Sequence, residues 1–279
     1  MITLNKTCLI LATVLALAGC NKNVDPRDES IDPVTTGLAY VNASEDITRQ
    51  IKDDAGAKSI VLLDNTDTTF GRVPDIRKPL FPIFTQYSPL QYPSQTGNIR
   101  LEQPWLRYDA VSAGNHQLIL MDTAHNPVLK QQISLESKNK ATIYYSDVLG
   151  KYSSLVLKDT LDNKPGYAGI RFVNFCGDAD ISFTINKEKK AGFPASMKHG
   201  QYSSLVQLPS TGSDTFRIRL YRTDDPENII ARATLYTEPG HGYTVLITGY
   251  TQEQSYKAPY GNSWVTIPAY PRIKLYKNY

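Results

Sequence analysis

"GIRFVNFCGD", residues 169 to 178, is echoed far upstream by "GLAYVNASED", residues 37 to 46. Gly37 and Gly169 lie 169 minus 37, or 132, positions apart, and each is followed by an aromatic residue, Val and Asn: Tyr40, Val41, Asn42 and Phe172, Val173, Asn174. A second correspondence follows in the same order, residues 107 to 147 against residues 201 to 250. Each of these segments runs through a Tyr-led strand, a Gly turn, an alternating strand, a polar turn, another strand, a second polar turn and a final strand. Self-similarity over this length implies duplication of a folded unit.

Inside each unit the apolar period is two. In "DTFRIRLYR", residues 214 to 222, Phe216, Ile218 and Leu220 alternate with Arg217, Arg219 and Tyr221, the pattern of a strand covered on one face. "DISFTIN" repeats it with Ile181, Phe183 and Ile185, and "GYTVLITGY" with Tyr243, Val245 and Ile247 against Thr244, Leu246 and Thr248. Turn-formers separate the runs: "SAGN", "AHNP" and "SKNK" in the first unit, "PSTGSD", "TDDPEN" and "EPGHG" in the second. Eighteen Tyr against eight Phe, with abundant Thr, Val and Ile, favour pleated surfaces. The spacing therefore predicts an all-β chain of two tandem antiparallel β-sandwich, immunoglobulin-like domains, at residues 37–160 and 167–279. One exception is expected: Ile47 and Ile51, four apart within residues 44–56, suit one or two helical turns.

Two stretches break the symmetry. Residues 70–105 hold six prolines and several aromatics, and prolines bar most of this insertion from central strands, so it reads as a long loop or edge excursion. The C-terminal "YKAPYGNSWVTIPAYPRIKLYKNY" is dense in Tyr around Trp264. Tyr87, Tyr92 and Trp105 near the insertion, and Tyr256, Tyr260, Trp264 and Tyr270 near the C-terminus, are the candidate ligand-binding aromatics. They serve either as a stacking platform for sugar or protein, or as packing that closes a sandwich and joins the domains.

The N-terminus is of another kind. A short region with Lys6 leads into the apolar "TCLILATVLALAG", a secretory signal peptide over residues 1–19. Its end, "LAGC", resembles the lipobox of bacterial lipoproteins, which implies cleavage before Cys20, diacylglycerol on the Cys20 thiol and anchoring to membrane. Residues 20–36, polar and carrying two prolines, read as a flexible tether. Of the three cysteines Cys8 leaves with the signal and Cys20 is lipidated, so Cys176 stands alone, expected as a buried inert hydrophobe.

The formal charge of +3, without a basic stripe, gives no footprint for nucleic acid. None of the four histidines pair at metal-ligand spacing; His125 and His241 fall in turns, where solvated side chains are expected. "DNTD", residues 64 to 67, lacks the Gly and distal Glu of a calcium loop. Neither a metal nor a cofactor is expected, and no nucleophile or phosphate-loop motif occurs.

The strands and turns resemble a bacterial family known only as domain of unknown function 4397. The likeness rests on "AYVNAS" and "IRFVNFCG", on "YDAVSAGNHQLIL" and "YSSLVQLPSTGSDTFRIRL", and on the closing "YTVLITG" at residues 243 to 249. The first unit departs at "ATIYYSD", which lacks the final Thr-Gly. The resemblance implies a β-sandwich and an envelope location, and supplies no catalytic residues. Anchor, repeat and motifs together point to a non-enzymatic envelope lipoprotein at the outer membrane, presenting loops for adhesion, scaffolding or ligand binding. The alternative is a carbohydrate-binding accessory lipoprotein that uses exposed Tyr and Trp.

Overall fold

The computed structural model describes residues 35–54, 56–64, 82–86, 90–92, 104–159, 164–212, 214–260 and 263–278. The signal peptide, Cys20, most of the tether, Tyr87 and most of the Pro-rich insertion lie outside them. In chain order the first half contributes β1 (Thr35–Asn42), α1 (Glu45–Asp53), β2 (Ser59–Leu63), β3 (Ile83–Phe84), β4 (Gln91–Tyr92), β5 (Asp109–Ser112), β6 (Gly114–Met121), β7 (Pro127–Leu135), β8 (Lys140–Val148) and β9 (Lys151–Lys158). The second contributes β10 (Tyr167–Cys176), β11 (Ile181–Ile185), β12 (Val206–Pro209), β13 (Asp214–Arg222), β14 (Asp225–Thr237), β15 (Gly242–Gly249), β16 (Gln254–Lys257), β17 (Trp264–Ile267) and β18 (Arg272–Lys277). The chain is all-β, with α1 the helix foreseen around Ile47 and Ile51. Strand β1 begins at Thr35, inside the stretch read as tether.

Four sheets carry the body. In the first half the order β4-β1-β8-β9, with β5 also on β1, faces β3-β2-β6-β7 across a core of Leu38, Tyr40, Leu118, Leu120, Ile143 and Tyr145 among others. In the second, β12-β10-β15-β18 faces β11-β13-β14 across a core built on Phe172, Phe183, Ile218, Leu220, Val245 and Ile247. Phe172 and Phe183 stack with centroids 3.7 Å apart. Two described pieces of the Pro-rich insertion, β3 and β4, are edge strands, where a missing N–H costs no ladder bond.

The repeat shows in the central pairing. β1 runs parallel to β8 with Gly37 opposite Lys140, and β10 runs parallel to β15 with Gly169 opposite Gly242. An antiparallel sandwich is the expectation, and the other strand pairs among the described residues follow it. The central pair of each half departs from it because the first and last strands of the repeat lie side by side, joined by a crossover through the facing sheet.

A second difference concerns burial. β1, β8, β10 and β15 are buried on both faces, whereas the alternation in "GYTVLITGY" reads as one-sided. Their other faces meet at a seam, where Ala39, Val41, Tyr144 and Leu157 of the first half pack against Val173, Phe175, Leu246 and Tyr276 of the second. The sheets therefore stack in four layers over three cores, and Ile31–Tyr279 forms one compact unit. The free edge of β18 is covered too: Leu106 N–H donates to the Lys277 carbonyl at 2.7 Å, and Lys277 N–H to that of Pro104 at 3.0 Å.

Candidate functional site

The repeated Asn has a structural task. Asn42 Oδ1 accepts from Ser44 N–H at 3.0 Å, and Asn174 Oδ1 accepts from Cys176 N–H at 2.9 Å, so each side chain caps the turn that ends its strand. Beyond that shared turn the halves diverge. Ser44 becomes the N-cap of α1, its Oγ accepting from Ile47 N–H at 3.1 Å while it donates to Asp147 Oδ1 at 2.6 Å. Asp147 also receives Asp46 N–H and Gly150 N–H, so this buried carboxylate, raised by desolvation, holds the start of the helix to the end of β8.

Other groups that carry chemistry elsewhere are structural here. Asp122 Oδ1 accepts from the N–H of Ala124 and Asn126, closing the β6–β7 turn beside His125. His116 faces Asp64 Oδ2 through Nδ1 and the Ser112 carbonyl through Nε2, both at 2.7 Å. His241, expected in solvent, is buried under Trp105, whose ring meets it edge-on at 5.7 Å, because the seam covers that turn. Among the described residues no group of His, Cys, Asp and Glu side chains gathers as a metal ion would need.

Cys176 is buried in the second core, its thiol donating to Asp178 Oδ1 at 3.4 Å. Burial pushes the thiol up to about 12, with the Asp178 carboxylate adding to it and the Asp178 and Ala179 backbone bonds opposing, so the nucleophilic thiolate is scarce at neutral pH. With Cys8 and Cys20 replaced by Ser, so that Cys176 is the sole thiol, the folded protein at pH 8 is expected to leave a thiol-reactive disulfide reagent unconsumed until denaturant is added, which a timed absorbance assay checks.

The candidate aromatics separate into two groups. Tyr92 lies in the first core, edge-on to Tyr40 at 6.2 Å, and Tyr256 is buried beneath the β16–β17 hairpin with Tyr250, Val265 and Ile267. Trp105 is at the seam, with Lys277 Nζ 4.0 Å from its ring centroid. Exposed, by contrast, are Tyr260, whose hydroxyl donates to the Pro127 carbonyl at 3.1 Å, Tyr270 at 61% and Trp264 at 74%. Tyr87 lies outside the described residues. Tyr202 and Tyr236 are exposed as well and were not singled out from sequence, since neither belongs to an aromatic-dense run.

Trp264 projects from a paired base. β16 pairs with β17 so that Tyr256, Val265 and Ile267 point into their small core, while Lys257 lies opposite Trp264 and Ser255 opposite Thr266 on the outer face. Ser255 Oγ and Thr266 Oγ1 are 3.0 Å apart. The result is a flat indole bordered by one ammonium and two hydroxyls.

A separate cleft of about 480 Å³ opens where α1 of the first half meets β14 and β18 of the second. Thr48 and Lys52 line it from α1, Arg232 from β14, and Tyr270, Arg272 and Lys274 from the chain entering β18. The cations of β18 reach this wall by register: Lys274 pairs with Leu246 and Arg272 with Thr248, so both share the seam-facing side with Tyr276. Arg272 pairs with Glu45 and lies 5.1 Å from the Tyr270 ring centroid. Lys274 Nζ is enclosed without a hydrogen-bond partner, although the residue as a whole is half-buried. Desolvation, with Arg272 and Lys52 adding repulsion and Glu45 opposing, pulls this ammonium down to about 8.

Known protein families and curated proteins yield no match to the chain. Among solved structures it aligns with a CBM26 carbohydrate-binding module from Eubacterium rectale in complex with maltoheptaose, at 13% identity over 82% of this chain and 99% of that one, with a TM-score of 0.21. It also aligns with a proposed cell adhesion protein from Bacteroides ovatus, at 8% identity over 88% of this chain and 98% of that one, with a TM-score of 0.16. Superpositions this loose carry no argument about ligand or activity.

Proposed function

We propose that the chain is a non-enzymatic lipoprotein of the bacterial cell envelope, held at the outer membrane by acyl chains on Cys20, whose β-sandwich body presents a contact face for adhesion or ligand binding. The anchor rests on "LAGC" and the polar tether behind it. The observation that carries the binding role is Trp264, 74% exposed on a hairpin whose opposite face is fixed by its own small core. Trp on a preorganised strand offers a large contact area with little ordering cost, which is why it dominates the energetics of contact surfaces. A second reading, a carbohydrate-binding accessory protein, draws on the surroundings of that indole: Lys257, Ser255 and Thr266 supply the donors and acceptors that a stacked sugar ring needs.

Because the chain has two Trp, a Trp105→Phe variant makes Trp264 the sole indole emitter. Mature protein of this type, titrated with an array of neutral and acidic oligosaccharides and with immobilised mucin, is expected to show a blue-shifted emission for its ligand. Trp264→Ala should weaken that binding about tenfold or more, the loss of a typical Trp contact. Cys20→Ser should move the protein from the membrane fraction to the supernatant. No Trp264-dependent signal with any probe would remove the binding role of the β16–β17 hairpin, and membrane retention of Cys20→Ser would remove the anchor.

A further inference from the structure

The α1–β14–β18 cleft carries more positive charge than the fold itself uses. Four cations line it, Lys52, Arg232, Arg272 and Lys274, and among the described residues no carboxylate does. Glu45 behind the wall answers Arg272 and leaves a net excess of 4 minus 1, or three, charges. The other cation of α1 is not in this state: Arg49 bridges Asp46 at 3.0 Å and Asp53 at 2.8 Å. On the outer face of β13 and β14, Arg232 stands directly opposite Arg219, a like-charge cross-strand pair that weakens a sheet. Arg217 lies on that same face two residues along, so the positive surface continues from the cleft across the sheet.

Lys274 is the sharpest of these features. An enclosed ammonium without a hydrogen-bond partner opposes folding, and a Met of similar length would fill the same space without that cost. Packing therefore does not explain its presence, whereas an anion entering the cleft would supply the missing partner. Beside it Tyr270 lies at the mouth, 61% exposed, with Arg272 against its ring. A cationic slot with an aromatic rim matches a ring that carries its own negative group.

We propose that this cleft is a binding site for an acidic carbohydrate, whose carboxylate or sulfate is taken by Lys274, Arg272 and Arg232 while its ring rests on Tyr270. The proposal rests on the reading of the chain as a binding protein, but at a surface that excludes Trp264, which does not line the cleft. Affinity falls as pH rises through 8 and Lys274 loses its proton; the charged groups around it are the Arg272 and Arg232 guanidiniums, the Glu45 carboxylate and, from α1, Lys52.

The test uses the mature full-length chain and calorimetric titration with short oligogalacturonate, a sulfated oligosaccharide, the neutral galactose oligomer of equal length and inorganic phosphate. At least one acidic oligosaccharide is expected to bind tenfold or more tightly than the neutral one. Lys274→Met, which should fold at least as well as the parent, and Arg232→Gln, at an exposed position, are each expected to weaken it about tenfold, the loss of one charge-assisted contact. Lys274→Met should also flatten the decline between pH 7 and 9.5, and Trp264→Ala should change nothing. Equal affinity for acidic and neutral oligomers, no binding of either, or unchanged affinity in both cleft variants would overturn the proposal. Tighter binding of phosphate than of any sugar would overturn its carbohydrate part.

Discussion

Asp159→Ala is expected to lower the unfolding free energy by about 3 to 5 kcal/mol, the usual result of removing one member of a buried ion pair. Asp159 is 0% and Arg171 3% exposed, and Arg171 Nη2 donates to Asp159 Oδ1 at 2.5 Å. The same carboxylate receives Asn278 Nδ2 at 2.8 Å, the Tyr108 hydroxyl at 3.0 Å and the Thr142 hydroxyl, so it has no unfilled acceptor. Arg171 in turn donates to the Lys158 carbonyl at 2.9 Å and to Thr244 Oγ1 at 3.1 Å. Alanine would leave a guanidinium, an amide and two hydroxyls facing a dry void. Because these groups come from β8, from the end of β9, from β10, from β15 and from the C-terminus, the damage falls on the seam that joins the halves. Urea unfolding should remain a single transition at lower midpoint, and the melting temperature should drop on the order of 10 °C for a unit of this size. The double variant Asp159→Leu, Arg171→Met should recover much of the loss, since it removes both charges together. If the single variant is as stable as the parent, the seam does not depend on this pair.

That network also marks where the sequence stops being informative. Period two in "DTFRIRLYR" and "DISFTIN" identifies strands because the apolar residues share one covered face, and the structure buries Phe216, Ile218, Leu220, Ile181, Phe183 and Ile185 as the pattern requires; the other face is the more open one in β13, whereas in β11 Ser182 is buried as well. The repeat is legible for the same kind of reason: "VN" must recur because each Asn caps an equivalent turn. In β10 and β15, however, the second face is covered by another sheet, and its Thr244, Leu246 and Arg171 look like a solvated face until the seam partner is known. Arg171 aligns with Ala39 of the first repeat, 171 minus 132, so the duplication itself gives no hint of a buried charge there.

The site was less legible than the fold. Aromatic density picks out Trp264 and Tyr270 together with Tyr256 and Tyr92, and density does not say which way a strand residue faces. Tyr256 turns inward because its neighbours in register, Val265 and Ile267 on the same side, bury with it. The cleft cations are separated by 232 minus 52, or 180, and 274 minus 232, or 42, positions, and only the fold, which sets α1, β14 and β18 around one cleft, brings them together. The alternation in "RIKLYK" carries a trace of them: Arg272 and Lys274 share a side of β18, and Ile273 and Leu275 the other.

Gly249, last residue of "YTVLITG", tests how that wall is built. Its φ of +97° is strained for any residue with a side chain, and a Cβ there would lie 2.2 Å from the Tyr270 carbonyl oxygen and 3.1 Å from Pro271 Cα. These are backbone atoms, so no rotamer change relieves the contact. Tyr270 N–H is at the same time bonded to the Tyr250 carbonyl at 2.9 Å, which pins the segment that presents Tyr270 and Arg272 to the cleft. Two other glycines separate the contributions. Gly212 has ordinary φ and open space, so Gly212→Ala should be neutral or slightly stabilising. Gly240 has φ +78° but nothing within 4 Å of a new Cβ, so Gly240→Ala should cost about 1 to 2 kcal/mol through backbone strain alone. Gly249→Ala carries both burdens and should exceed about 3 kcal/mol, among the larger losses single substitutions produce. Urea midpoints in the order Gly212→Ala, Gly240→Ala, Gly249→Ala, from highest to lowest, would follow. A Gly249→Ala variant no weaker than Gly240→Ala would mean that the Tyr270 segment yields freely, and a rim that yields could not hold Tyr270 in place over the cleft. In the first repeat the aligned residue is Asp147, which ends its strand through bonds to Ser44, Asp46 and Gly150 instead of a close backbone approach. The missing Thr-Gly of that repeat is therefore a different way of closing the same turn, and substituting its counterpart would disturb the start of α1 before it disturbed β18.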